Sequence, residues 1–172
     1  FYGDYTTLVI SLINLPTILI YPITNALVPM ITGAIVSNNK NKVEKMRSLT
    51  LRIVNLISIP SALLLGVFSH GILKMLMFTD GSVERAAPWL SVGSASVIFL
   101  GLISVTNAFL NTAGKQRYPI ISMLCGAGVK IIANYVLLAK IGIVAAPVST
   151  ILCYLTAATL NIFFTVKFVG KL

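Results

Sequence analysis

The sequence predicts an all-α integral membrane protein with about five transmembrane helices. Three observations predict it. First, 57% of the residues are hydrophobic and 10% are charged, with a mean hydropathy of +0.95. Soluble domains carry about 25% charged residues and about 45–50% apolar ones. Second, Asp4, Glu44, Asp80 and Glu84 are the only acids. A chain so poor in acids and so rich in Leu, Ile and Val cannot cover a water-facing surface, and a bilayer removes that requirement. Third, successive apolar runs reach the roughly 20 residues that cross hydrocarbon, and short basic gaps separate them.

Helix one covers about residues 5–36. It is longer than a span needs, and Pro16, Pro22 and Pro29 lie inside it. Each proline removes a backbone donor and clashes one turn back, which predicts a bent or broken helix. Residues 37–45 (SNNKNKVEK) read as a polar loop. Helix two covers about residues 46–68, with Pro60 near its far end. Residues 70–80 (HGILKMLMFTD) read as a short amphipathic turn of helix at the interface, too short to span. Helix three covers about residues 86–112, with Pro88 in its first turn, where proline is tolerated. Gly114 closes it, and Lys115-Gln116-Arg117 make a tight charged turn. Helix four covers about residues 118–139, and Lys140-Ile141-Gly142 make the next turn. Helix five covers about residues 143–168, with Pro147 near its start. No long linker interrupts this run, so residues 1–172 read as a single transmembrane domain. The chain opens on Phe1, already patterned as helix by Tyr5, with nothing that reads as a signal peptide. This predicts a piece of a longer protein.

The net charge is +9. The basic residues fall in the gaps between apolar runs, and no basic patch interleaves with exposed aromatics, so nucleic acid is not an expected partner. Placing the residue 37–45 loop in the cytoplasm puts Lys40, Lys42, Lys45, Arg47, Arg52, Lys115, Arg117, Lys167 and Lys171 on one side. The other side then holds Lys74, Arg85 and Lys140. By the positive-inside rule, residue 1 starts outside and residue 172 ends in the cytoplasm.

Polar residues inside a span are costly, and they face a bundle interior or a wet cavity. Helix one carries Thr7, Ser11, Asn14, Tyr21 and Asn25 on or near one face. Helix four carries Ser122, Gly126, Lys130 and Asn134 at strict i, i+4 intervals, which is one stripe. Lys130 is the sharpest of these, a charge near the middle of an apolar helix, where insertion costs roughly 2.5–3.5 kcal/mol. It reads as a cavity-facing cation, favoured over a lysine that snorkels or serves packing. Arg52 lies only a turn into helix two, where snorkelling back to the cytoplasmic headgroups is favoured over a cavity role. Asn55, Asn107 and Asn161, taken singly, favour hydrogen bonds between helices. The candidate cavity residues are Lys130, Asn134, Asn14, Ser11, Arg52 and Asn107.

No catalytic site, metal site or cofactor is expected. Asp80, Glu84, His70 and Arg85 read as a solvated loop with nothing to fix their geometry. Cys125 and Cys153 lie in apolar runs without metal or disulfide spacing. There is no Walker loop, nucleophile elbow or zinc signature.

Several stretches resemble the multidrug/oligosaccharidyl-lipid/polysaccharide flippase superfamily. Gly3-x-Tyr5, Leu15-Pro16 and Ala26-Leu27-Val28-Pro29-x-Ile31 are similar to its helix with a mid-span Leu-Pro. Phe109-Leu110-Asn111-Thr112-Ala113-Gly114-Lys115 with Pro119 resembles a family turn. Gly128-Val129-Lys130 with Asn134-Tyr135 and Leu137-Leu138, followed by Gly142, Ala145-Ala146 and Ser149-Thr150, resembles a further family pattern of glycine, lysine and asparagine followed by glycine, two alanines and threonine. The order and spacing carry the resemblance over nearly the whole chain, and it is nearest to the polysaccharide-biosynthesis branch of stage V sporulation protein B.

The resemblance implies most of the second six-helix lobe of a two-lobe flippase, with the first helix of that lobe and the whole N-terminal lobe missing. It implies a protein of the bacterial cytoplasmic membrane. The protein would move undecaprenyl-linked polysaccharide or peptidoglycan precursors by alternating access, driven by a coupling ion, Na+ or H+. Lys130 matches the family lysine that would meet the lipid pyrophosphate. Lipid II flippases carry a basic residue shortly before the Leu-Pro, whereas Ser11-Leu12-Ile13-Asn14 is uncharged, which argues against lipid II itself. The alternative is a cation-coupled multidrug exporter of the same fold, disfavoured because no acid lies within a span except near its ends.

Overall fold

The computed structural model describes residues 9–37, 40–76 and 80–168. Among them there are seven α-helices and no strand. They are α1 (Ser11–Val36), α2 (Lys40–Val67), α3 (Ser69–Leu76), α4 (Asp80–Gly93), α5 (Ser96–Thr112), α6 (Arg117–Ile141) and α7 (Ala145–Phe168). α1, α2, α6 and α7 are each long and apolar enough to cross a membrane. The bent pair of α4 and α5, counted as one span, makes five.

α5 is the centre of the bundle and packs against α1, α2 and α7. A Cβ on Gly101 of α5 would meet Ser58 Oγ and Val54 Cγ1 of α2, so the missing side chain lets these two helices close. Thr24 and Ser104 share a 3.0 Å hydrogen bond between α1 and α5. α6 lies at the edge, packed on α7 and hardly touching α5. One apolar cluster joins Val9, Leu12, Leu65, Leu73, Val83 and Leu90 at one end of the bundle. A second joins Ile31, Ala34, Val43 and Phe109 at the other. That second end carries Lys42, Lys45, Arg47, Lys115, Arg117 and Lys167, and we call it the basic end.

Three expectations need correction. The loop expected at residues 37–45 is helix from Lys40 onward. The 28 residues of α2 reach about 42 Å at 1.5 Å per residue, longer than a hydrocarbon core of about 30 Å. The polar first turns therefore stand in the headgroup zone as helix, with Glu44 and Arg47 paired at i, i+3. Arg52 consequently lies about three turns into the helix.

Helix three is not one helix over residues 86–112. It breaks between Gly93 and Ser96 with a bend of 41°. At the break Val97 N donates to Ser94 O at 3.0 Å, a tight i, i+3 bond. The hydroxyls of Ser94 and Ser96 take the carbonyls of Ser91 (2.8 Å) and Gly93 (2.5 Å). Adjacent Gly and Ser residues are a recognised cause of kinks. The first half is helix from Asp80 on, so Asp80 and Glu84 lie in a helix where a solvated loop was expected, and Pro88 is interior to α4. α1, where a bend or a break was expected, has no break: the helix runs continuously through Pro16, Pro22 and Pro29.

Candidate substrate-facing surface

α1 buries Leu12, Ile13, Pro16, Thr17, Ile20 and Thr24 against the bundle. Its other side is bare. Ser11, Asn14, Ile18, Tyr21 and Asn25 follow at i+3 and i+4 steps, so they form one stripe, and all five are exposed. Tyr21 is 48% exposed and Ile18 63%. Pro22 and Pro29 have no N–H to give the carbonyls of Ile18 and Asn25 four residues back. The stripe therefore presents two amides, a phenol, a hydroxyl and two carbonyls without helical partners. It is neutral and carries both donors and acceptors.

The stripe on α6 has a different surrounding. Ser122 is fully buried. A Cβ on Gly126 would lie 2.7 Å from Cys153 O of α7. Ser149 Oγ of α7 donates to Asn134 Oδ1 at 2.7 Å. The face shared by Ser122, Gly126, Lys130 and Asn134 is thus the seam with α7. Lys130 is half-buried along that seam, and no ion pair among the described residues involves it.

The remaining candidates lie elsewhere. Asn107 Oδ1 accepts a 2.7 Å hydrogen bond from Asn161 Nδ2, which ties α5 to α7. Arg52 is exposed on α2, beside Asn55 and Leu56. The six sequence candidates therefore do not form one constellation. Ser11 and Asn14 share the bare face of α1, Lys130 and Asn134 share the α6–α7 seam, and Arg52 and Asn107 stand apart. Tyr21 and Asn25, left out of the candidate set, belong with Ser11 and Asn14. Their i+3 and i+4 spacing was the available signal.

A family model described as MatE matches residues 6–136, well over half of the chain. The chain belongs to the MatE family. Neither a curated relative nor a solved structure matches it. The MatE match runs from the start of α1 to Val136 in α6, so it takes in both polar stripes. MatE proteins are membrane transporters or flippases and not enzymes, and this one is a multi-pass membrane protein with four to five apolar spans among the described residues. Within the described spans of this MatE chain the acids are confined to the ends. Glu44 lies at the start of α2, and Asp80 and Glu84 lie at the start of α4.

Proposed function

We propose that this MatE protein flips undecaprenyl-linked polysaccharide or peptidoglycan precursors across the bacterial cytoplasmic membrane by alternating access. The observation that carries the reading is the bare stripe of Ser11, Asn14, Tyr21 and Asn25 on α1. Lipid tails satisfy no hydrogen bonds, so exposed amides and proline-freed carbonyls at membrane depth belong against water, substrate or protein. A neutral surface of mixed donors and acceptors suits the hydroxyls of a sugar headgroup. Lys130, near the middle of α6, is the group for the pyrophosphate, reached along the α6–α7 seam by its long flexible stem. Asn134 orients that seam. Arg52 stands nearer the basic end, which faces the cytoplasm by the positive-inside rule.

In this reading the described helices form most of one lobe, and a second lobe faces the α1 stripe across the cavity. A coupling ion, Na+ or H+, drives the cycle. The lack of an acid at mid-span disfavours cationic drugs as cargo, because nothing there would neutralise them.

The test is transport by the protein reconstituted in liposomes, with a fluorescent undecaprenyl-pyrophosphate-linked oligosaccharide in one assay and a cationic dye in another. The reading expects the lipid-linked sugar to cross and the dye not to. Dye transport without lipid-linked sugar transport overturns it in favour of multidrug export.

A further inference from the structure

Between α2, α5 and α7, toward the basic end, lies a cavity of about 260 Å³. α2 and α7 both pack on α5, and the cavity is the gap left between them. Leu51, Leu102, Val105, Phe109, Ile162 and Val166 line it. Two threonines complete the wall, Thr106 and Thr165. Their hydroxyls are already spent on their own helices: Thr106 Oγ1 donates to Leu102 O at 2.8 Å, and Thr165 Oγ1 to Asn161 O at 2.8 Å. They therefore have no hydroxyl donor left for the space. The one charge at the cavity is Arg47, about a third exposed, which touches Glu44 only at 3.8 Å.

This lining selects its occupant. Water needs two to four polar partners to stay in a buried site, and apart from Arg47 the side chains of the wall supply no free donor and only the hydroxyl oxygens of Thr106 and Thr165 as acceptors. A further helix does not fit, since one turn is about 10–12 Å across and 5.4 Å long. An empty apolar void forfeits dispersion contacts on every side. What a bilayer supplies to such a gap is an acyl chain, and what Arg47 adds is a requirement on the headgroup. Its guanidinium has five N–H donors in a fork that matches a phosphate, and the single long contact to Glu44 leaves most of them open. The surrounding basic end adds positive potential of the same sign.

We propose that this cavity is a resident-lipid site. One chain of an anionic phospholipid fills the gap between α2 and α7, and its phosphate pairs with Arg47. The lipid acts as a wedge that holds α2 and α7 at a fixed distance over α5. It is a structural ligand and is not the transported cargo.

The test is native mass spectrometry of the intact protein, purified and titrated with phosphatidylglycerol or phosphatidylcholine, with thermal unfolding read in parallel. Both lipids carry the phosphate, but the choline ammonium of phosphatidylcholine cancels its charge beside Arg47 and the basic end, so the proposal expects phosphatidylglycerol to bind about tenfold more tightly, a factor in the range of one charge-assisted contact. Arg47→Gln brings phosphatidylglycerol down to the phosphatidylcholine level, whereas Lys45→Gln, on the neighbouring exposed surface, keeps the preference. Val166→Trp at the cavity rim lowers the occupancy of both lipids. Equal binding of the two lipids by the unaltered protein, or an unchanged preference in Arg47→Gln, overturns the site. If Arg47→Gln and Lys45→Gln weaken binding equally, the attraction is a diffuse surface charge, and the cavity assignment falls.

Discussion

Gly126→Ala is the substitution whose cost can be worked out most directly. The new Cβ would sit 2.7 Å from Cys153 O, 3.3 Å from Cys153 Sγ and 3.4 Å from Ala157 Cβ. The nearest neighbour is backbone and cannot rotate away. Ordinary contact begins at 3.4 Å, so α7 has to retreat by about 0.7 Å. That same movement stretches the 2.7 Å Ser149–Asn134 bond eight residues along the seam. Overpacking of this kind costs about 1–3 kcal/mol. Gly128 supplies the internal control, because a Cβ there meets nothing within 4 Å. Both substitutions gain the same helix propensity, about 0.8–1.0 kcal/mol, so it cancels in the comparison. Gly126→Ala should therefore be less stable than Gly128→Ala by about 1–3 kcal/mol. At about 2–4 °C per kcal/mol for a chain of this size, that is a gap of roughly 2–12 °C in Tm. The assay is thermal unfolding of both variants in the same lipid nanodiscs. Equal Tm values would refute the seam, and with it the placement of Lys130 and Asn134 beside α7.

Two further outcomes follow from the same geometry. Ser58 Oγ is buried in α2 with no hydrogen-bond partner, so Ser58→Ala removes an orphaned hydroxyl. Unfolding in nanodiscs should show stability unchanged or raised by up to about 1 kcal/mol, and a loss larger than that would mean the hydroxyl is satisfied by water. In a bacterium depleted of its own flippase, Lys130→Arg should rescue growth and Lys130→Ala should not at matched membrane expression. Equal rescue would make Lys130 a packing residue.

The spans were legible because hydrocarbon imposes length and composition on any helix that crosses it. Leu, Ile and Val runs report that directly. Their ends were less legible, since a polar stretch such as Lys40 to Lys45 can be loop or a helix standing in the headgroups, and hydropathy treats the two alike. The break at Ser94 was missed because Ser and Gly are common inside membrane helices. It takes the neighbouring carbonyls of Ser91 and Gly93 to turn Ser94 and Ser96 into a kink. The reading of Asn107 and Asn161 as a link between helices agrees with their 2.7 Å bond.

The polar stripes were harder. Ser122, Gly126, Lys130 and Asn134 on α6 and Ser11, Asn14, Tyr21 and Asn25 on α1 share the same periodicity. Periodicity shows that residues lie on one face, and it says nothing about what that face meets. Gly126 was the available clue, since a small residue in such a stripe marks close approach of another helix. No glycine stands within the α1 stripe, which is the bare one.

The central claim is that the bare face of α1 borders a wet translocation path and not lipid. We would test it by single-cysteine labelling in a background with Cys125 and Cys153 replaced by serine. Cysteines at Asn14, Tyr21 and Asn25 would be compared with cysteines at Leu124, Ile131 and Ile132, which are exposed on α6. The account predicts that a charged, membrane-impermeant maleimide labels the three α1 positions, and that a lipid-linked oligosaccharide slows the labelling. The α6 positions should react only with a lipophilic reagent. If the α1 cysteines resist the charged reagent and take the lipophilic one, that face lies against hydrocarbon, and the proposed path is wrong.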